Sequence, residues 1–245
     1  MLSILKKVDF FVVGAQKSGT TALHNYLFNH PDLCLPLRKE LHFFDSEEMM
    51  KKPQIYRETR YHWAFKNCPL NTLRGEVTPC YMYDLAYIER IHTYNPRSKL
   101  IAILRDPALR AYSHWNMQQQ KGIESRDFLS AINDELTFGC VDKRFAYLSR
   151  GLYFRQIANI AKYFSKGQLL LLLHDNLLLH PLSTLNKIAN FLNISPWHSV
   201  DAIISHKRSY SECLPKPIEL KLRAFFREDL FFLEKLLGED LPMWK

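Results

Sequence analysis

No apolar stretch in this chain of 245 residues approaches the ~20 residues that cross a bilayer, so no membrane span is expected. Metal-site spacing is missing too: neither C-x-x-C nor H-E-x-x-H occurs, which argues against zinc chemistry; no metal is predicted. The five cysteines, Cys34, Cys68, Cys80, Cys140 and Cys213, are scattered and odd in number, a usage that suits a reducing compartment. Ser113 and His114 lack a surrounding G-x-S-x-G, so they are not a nucleophile elbow. Internal repeats and low-complexity linkers are absent. Lysines and arginines are spread rather than clustered, and without a basic stripe or a known module nucleic acid is not an expected partner. The opening MLSILKKVDFFVVG runs straight into the first predicted strand. It is too short for a signal peptide plus that strand, and a cytoplasmic protein is expected.

What the chain does contain is a full core and an anion-binding bias. Hydrophobic residues make up 47% and aromatics 13%, with a net charge of +8. The length suits one α/β domain over residues 1–245. Strands are predicted at 8–14, 73–77, 98–104 and 168–174. Helices are predicted at 19–29, 84–94, 107–121, 126–136, 153–165, 181–192 and 217–236. Strands alternating with helices argue a central parallel sheet flanked by helices. The stretch from Pro31 to Thr72 reads as a long aromatic-rich loop, of the kind that shapes a substrate site near strand ends.

Residues 11–23, FVVGAQKSGTTAL, read as strand, polar loop and helix start. Backbone N–H groups at such a turn converge on an anion, and the helix dipole adds partial positive charge. Gly14 and Gly19 have the spacing of the nucleotide-triphosphatase loop G-x-x-x-x-G-K-[ST]. Yet Thr20 stands where its lysine belongs, and Lys17 precedes Gly19. A lysine in mid-loop suits a ligand whose reacting group lies directly beyond one 5′-phosphate. A kinase-type loop, or a strand–helix turn with no ligand, remain the alternatives.

A second segment, LIAILRDPALRAYSHW (Leu100 to Trp115), ends a buried strand in Arg105 and Asp106, with Pro107 suited to a first helical turn. Arg105 then lies at a strand's carboxyl edge, where open α/β sheets bind ligands. Ser113 lies two helical turns on. A guanidinium fork and a hydroxyl suit a phosphate; an Arg105–Asp106 capping or salt-bridging role is the plainer reading.

These segments resemble the sulfotransferases that use 3′-phosphoadenosine 5′-phosphosulfate (PAPS). Their K-x-G-T-T loop matches Lys17, Ser18, Gly19, Thr20 and Thr21, which the resemblance assigns to the 5′-phosphosulfate. The R-D-P-x-x-R-x-x-S context assigns Arg105 and Ser113 to the 3′-phosphate. RKELHFFD (Arg38 to Asp45) is similar to the E-x-H-F-F-D stretch of the heparan sulfate 3-O-sulfotransferases. By that resemblance Glu40 is the catalytic base and His42 its neighbour, with Arg38 and Lys39 holding the carboxylate ionised or meeting an acidic acceptor. GEVTPCY (Gly75 to Tyr81) matches the family's T-P-x-Y-like turn, but Val77 replaces the lysine of the heparan enzymes. The donor site is therefore carried over and the acceptor is not. Glu76 either shares the base role or makes a structural salt bridge. Lys207 and Arg208 fall where the family has a basic loop over the donor; they either contact phosphate or are solvated charge. Arg150, Gly151 and Tyr153 fit a similar family feature, with ordinary packing of Tyr153 as the alternative.

The resemblance thus implies a soluble, bacterial-type sulfotransferase fold. It would move a sulfuryl group from PAPS to an acceptor hydroxyl, a saccharide favoured, and release adenosine 3′,5′-bisphosphate (PAP). Lys17 would neutralise charge on the leaving phosphate as Glu40 takes the proton. The rivals are an ATP-dependent small-molecule kinase, with Asp175 or Glu76 drafted to hold its metal, and a non-catalytic module that binds PAP or PAPS.

Overall fold

The computed structural model describes residues 6–200 and 213–245. In chain order the elements are β1 (Phe10–Gly14), α1 (Thr20–Phe28), β2 (Leu33–Cys34), α2 (Glu47–Met50), α3 (Gln54–Trp63), β3 (Leu73–Val77), α4 (Leu85–Tyr94) and β4 (Lys99–Leu104). There follow α5 (Pro107–Gln120), α6 (Phe128–Phe138), α7 (Tyr153–Ile160), β5 (Leu169–Leu173), α8 (His174–Leu179), α9 (Pro181–Leu192) and α10 (Lys216–Leu237). The strands form one parallel sheet in the order β2-β3-β1-β4-β5. Chain direction across the sheet therefore reverses at β1, the kind of switch point at which α/β sheets bind ligands beyond the strand carboxyl ends.

The described residues divide into two compact units. The first draws on residues 6–15, 19–104 and 159–200 and holds the whole sheet. β1 is buried along its full length, as a central parallel strand covered on both faces must be. On one face Phe10, Val12, Ile101, Ile103 and Leu172 pack with Leu23 and Leu27 of α1 and Leu185, Ile188 and Leu192 of α9. Elsewhere in this unit Phe11, Phe44, Tyr61, Tyr81 and Tyr94 meet mostly edge-on, with ring centroids 5.5–6.3 Å apart, a favoured aromatic geometry.

The second unit draws on residues 16–18, 105–158 and 213–245. Here Pro107 opens α5, and Asp106 caps it: its Oδ1 accepts from the Ala108 and Leu109 N–H groups at 2.8 and 3.2 Å. Such a cap satisfies donors that a helix start leaves unpaired. Asp106 also pairs with Arg223 of α10 at 3.2 Å. Gly151 abuts α10 so closely that a Cβ there would lie 2.7 Å from the Phe226 ring.

Two expectations are corrected. The stretch from Pro31 to Thr72 is not simply loop: it contains β2, α2 and α3. α3 buries only Tyr61 and His62, so its sequence QIYRETRYHW carries little apolar signal to mark it. The cysteines are not all single, since Cys34 and Cys68 form a disulfide with Cα atoms 5.6 Å apart. The pair brings the chain after α3 back to β2, and it removes the ground that cysteine usage offered for a reducing compartment. α8, directly after β5, was also not anticipated.

Candidate active site

The loop after β1 supplies residues to both units, and each cluster is described within its own unit. In the first unit, Gly19 precedes α1 with φ 88°, a left-handed conformation that costs glycine nothing. A Cβ on Gly19 would lie 2.6 Å from the ring of His174, at the start of α8. Both conditions select glycine. Thr20 and Thr21 form the first turn of α1, where free N–H groups and the helix dipole favour an anion.

Lys39 ties this helix start to the predicted base. Its Nζ lies 3.2 Å from Thr21 Oγ1 and 2.7 Å from Glu40 Oε1. Glu40 Oε2 lies 3.6 Å from His42 Nε2, and His42 Nδ1 lies 2.8 Å from Asp45 Oδ2. Glu40, His42 and Asp45 therefore form a continuous chain. Burial alone would raise the Glu40 carboxyl, but hydrogen bonds from His42 and Lys39 outweigh it and bring it down to about 2. Asp45, Cys80 and Glu40 raise His42 to about 12, so the imidazole is held protonated between two carboxylates.

The backbone here is set in an unusual way. Glu40 has φ 59° and His42 φ 53°, values that non-glycine residues adopt at a cost and that cluster at functional sites. What holds them is a buried network. The Glu40 N–H donates to the Val77 carbonyl at 3.1 Å. The Phe43 and Phe44 N–H groups donate to the Tyr81 hydroxyl at 3.0 and 3.4 Å. That hydroxyl donates in turn to Glu76 Oε1 at 2.7 Å. Glu76 is fully buried and also accepts from Thr78 Oγ1 at 2.7 Å and from the Tyr61 hydroxyl. Burial raises its carboxyl. Of the two alternatives read from sequence, Glu76 is structural, although its partners are hydroxyls and not a cation. It is also unavailable for the metal-holding role that a kinase would give it.

In the second unit, Lys17, Ser18 and Arg105 come together. Lys17 has φ 71°, and its carbonyl accepts from Arg105 Nη1 at 3.2 Å. Arg105 is held from behind, because its carbonyl accepts from the Tyr153 hydroxyl at 2.8 Å. Ser18 and Ser113 are buried. Beside them lies a buried basic group that sequence reasoning largely passed over: the guanidiniums of Arg110 and Arg150 and the imidazole of His114. Arg110 is fully buried. It donates from Nη2 to the Tyr147 carbonyl, while its Nε and Nη1 have no hydrogen-bond partner among the described residues. Burial pulls Arg110 down to about 10, with the charges of Arg150 and Arg105 acting the same way. His114 is driven well below its ordinary value by burial, then by Arg110, Arg150 and Lys17. Buried guanidinium without a carboxylate is costly, and orphaned donors in a cationic cluster fit a phosphate. The signal was present in R-D-P-x-x-R as Arg110, five residues after Arg105. Lys207 and Arg208 lie outside the described residues.

Comparison with known proteins follows the same lines. The description "Sulfotransferase domain" matches residues 7–212. Mouse heparan sulfate glucosamine 3-O-sulfotransferase 3B1 is 27% identical over 191 residues, covering 75% of this chain and 45% of its own length. The mouse bifunctional heparan sulfate N-deacetylase/N-sulfotransferase 3 is 27% identical over 273 residues, covering 96% of this chain and 31% of its own length. This chain thus spans less than half of those curated relatives. A sulfotransferase structure from Alicyclobacillus acidocaldarius superposes with a TM-score of 0.84 at 25% identity, covering 98% of this chain and 99% of that one. Fold, loop and matched length agree, and the chain belongs to the sulfotransferase family.

Proposed function

We propose that this protein transfers a sulfuryl group from PAPS to a hydroxyl of a saccharide-like acceptor. The observation that carries this reading is Lys39, which joins Thr21 at the anion-binding helix start to Glu40, the terminal carboxylate of the Glu40–His42–Asp45 chain. One residue thereby links a phosphate-binding element to a positioned base.

Within each unit the residues fit part of the donor. Gly19, Thr20 and Thr21 offer backbone N–H groups to the 5′-phosphate. Lys17, Arg105, Arg110 and Ser113 supply the charge and donors that an adenosine bisphosphate needs. In the reaction the acceptor oxygen forms a bond to sulfur as the bond from sulfur to the 5′-phosphate oxygen breaks. The electron pair leaves with PAP, and the acceptor's proton goes to a carboxylate oxygen of Glu40. Lys17 offsets charge growing on the leaving oxygen. Glu40 is ionised at every working pH because its carboxyl sits near 2. Proton transfer to it becomes favourable only as the acceptor oxygen gains the sulfuryl group and its proton turns acidic. His42, held between Asp45 and Glu40, fixes the carboxylate's orientation.

A saccharide acceptor is supported by the likeness to a 3-O-sulfotransferase acting on heparan sulfate and by the E-x-H-F-F-D stretch. The test is the Glu40→Gln variant with PAPS and a panel of saccharide, lipid and small alcohols. PAP affinity by calorimetry should stay within about twofold of wild type while turnover falls by about 10²–10⁴-fold, the range of general-base catalysis. Unchanged turnover would remove Glu40 from the mechanism. Binding of ATP in preference to PAP would overturn the donor assignment.

A further inference from the structure

We propose that His42 Nδ1, Asp45 Oδ2 and Cys80 Sγ form a binding site for a soft divalent cation of the zinc class, adjoining Glu40 and occupied reversibly. The three atoms lie 2.8 Å (His42–Asp45), 3.1 Å (Cys80–Asp45) and 3.8 Å (Cys80–His42) apart. A point equidistant from all three is about 1.9 Å from each, so an ion slightly out of their plane meets Zn–N, Zn–O and Zn–S lengths of about 2.0–2.3 Å. Nitrogen, oxygen and thiolate sulfur together suit zinc and its neighbours better than magnesium or calcium.

Three further observations favour a ligand here. Asp45 Oδ1 is buried and has no hydrogen-bond partner among the described residues, so the carboxylate has spare capacity on the side that its neighbours do not use. Cys80 is buried and sits between Pro79 and the anchored Tyr81, which fixes where its sulfur points. The second nitrogen of His42 faces Glu40 Oε2 at 3.6 Å. A metal-bound histidine ordinarily gives its other N–H to a carboxylate, and Glu40 already stands in that outer position.

Coordination replaces two protons, one from the Cys80 thiol and one from His42 Nδ1, while Nε2 keeps its hydrogen toward Glu40. Three protein ligands leave a fourth position open for a water or other small ligand, unlike the closed four-ligand sites of structural zinc. Occupancy would fix the imidazole beside Glu40 while leaving the net charge behind the base unchanged, since one dication replaces two protons. The site stands on the geometry of the cluster and does not depend on the transfer reaction proposed above.

The experiment is a titration of the whole protein with Co²⁺ in buffer free of thiol reductant, followed by absorption. A thiolate-to-cobalt charge-transfer band should saturate at one ion per chain and disappear when Zn²⁺ is added. Cys80→Ser should abolish the band and weaken Co²⁺ binding by more than about tenfold, the least that loss of a direct ligand should cost when altering an outer-shell partner costs about 10–100-fold. Asp45→Asn should weaken it comparably, with circular dichroism confirming that both variants are folded. Absence of the band in wild type, or a band that survives in folded Cys80→Ser, would overturn the proposal. PAP binding, measured separately, reports on the transfer reading whichever way the titration falls.

Discussion

Replacing Tyr81 by Phe removes one oxygen from the network that holds the Glu40 segment. That oxygen accepts from Phe43 N–H at 3.0 Å and Phe44 N–H at 3.4 Å and donates to buried Glu76 at 2.7 Å. A buried N–H left unpaired costs about 1–3 kcal/mol, and a hydrogen bond to a charged group is worth about 1.5–3 kcal/mol. Because the contributions overlap, a loss of about 2–4 kcal/mol in unfolding free energy is expected. The effect on catalysis is separable. Positive φ at Glu40 and His42 carries about 1–3 kcal/mol of strain per residue, and the Phe43 contact helps to maintain it. If about 1.4–2.8 kcal/mol relaxes when the contact is lost, the productive orientation becomes about 10–100-fold rarer, and kcat falls by that factor. Urea denaturation reads the first effect and steady-state transfer to a saccharide the second, while calorimetry should show PAP affinity changed by less than about twofold. A folded variant with the stability loss but with kcat within about twofold of wild type would refute the claim that this hydroxyl positions the base.

Two other outcomes are expected. Cys34→Ser with Cys68→Ser opens a crosslink between residues 34 apart in sequence, which loop-closure entropy values at about 3–4 kcal/mol; denaturation of the oxidised wild type against the double variant measures it. His114 has its pKa driven well below the ordinary value by burial and nearby cations, so at mildly acidic pH the unfolded chain takes up a proton there that the folded chain refuses. Stability is therefore present above about pH 6.5 and is lost as pH falls. Between pH 7.5 and 5.5 this one group should account for about 1.4 kcal/mol, and in denaturation curves at the two pH values His114→Asn should show a pH dependence smaller by that amount.

Strong local signals were legible in the sequence. The apolar runs at 10–14, 100–104 and 169–173 become β1, β4 and β5, and Pro107 opens α5 where predicted. Lys17, Arg105 and Ser18 belong to one cluster, and Glu40 and His42 to another. What stayed hidden depends on partners distant in the chain. α3 is amphipathic but mostly polar outside Tyr61 and His62, and β2 is two residues long and defined only by pairing with β3. No spacing rule links Cys34 to Cys68. Glu76 could not be told from a catalytic carboxylate until Tyr61, Thr78 and Tyr81 were seen to close over it. The raised φ values at Lys17 and Glu40 likewise leave no trace in residue type, since lysine and glutamate ordinarily avoid that region, and even histidine, which enters it more often, does so too rarely to mark His42.

The brevity of β2 has an evolutionary corollary. Only Leu33 and Cys34 pair with β3, at the outermost position of the sheet. So small an edge offers almost no template for stray strand addition from another molecule. Between β2 and β3, residues 46–60 contain no buried side chain, so that part of the connection has room to change in length while Glu40, His42, Asp45 and the aromatic residues that hold them stay in place.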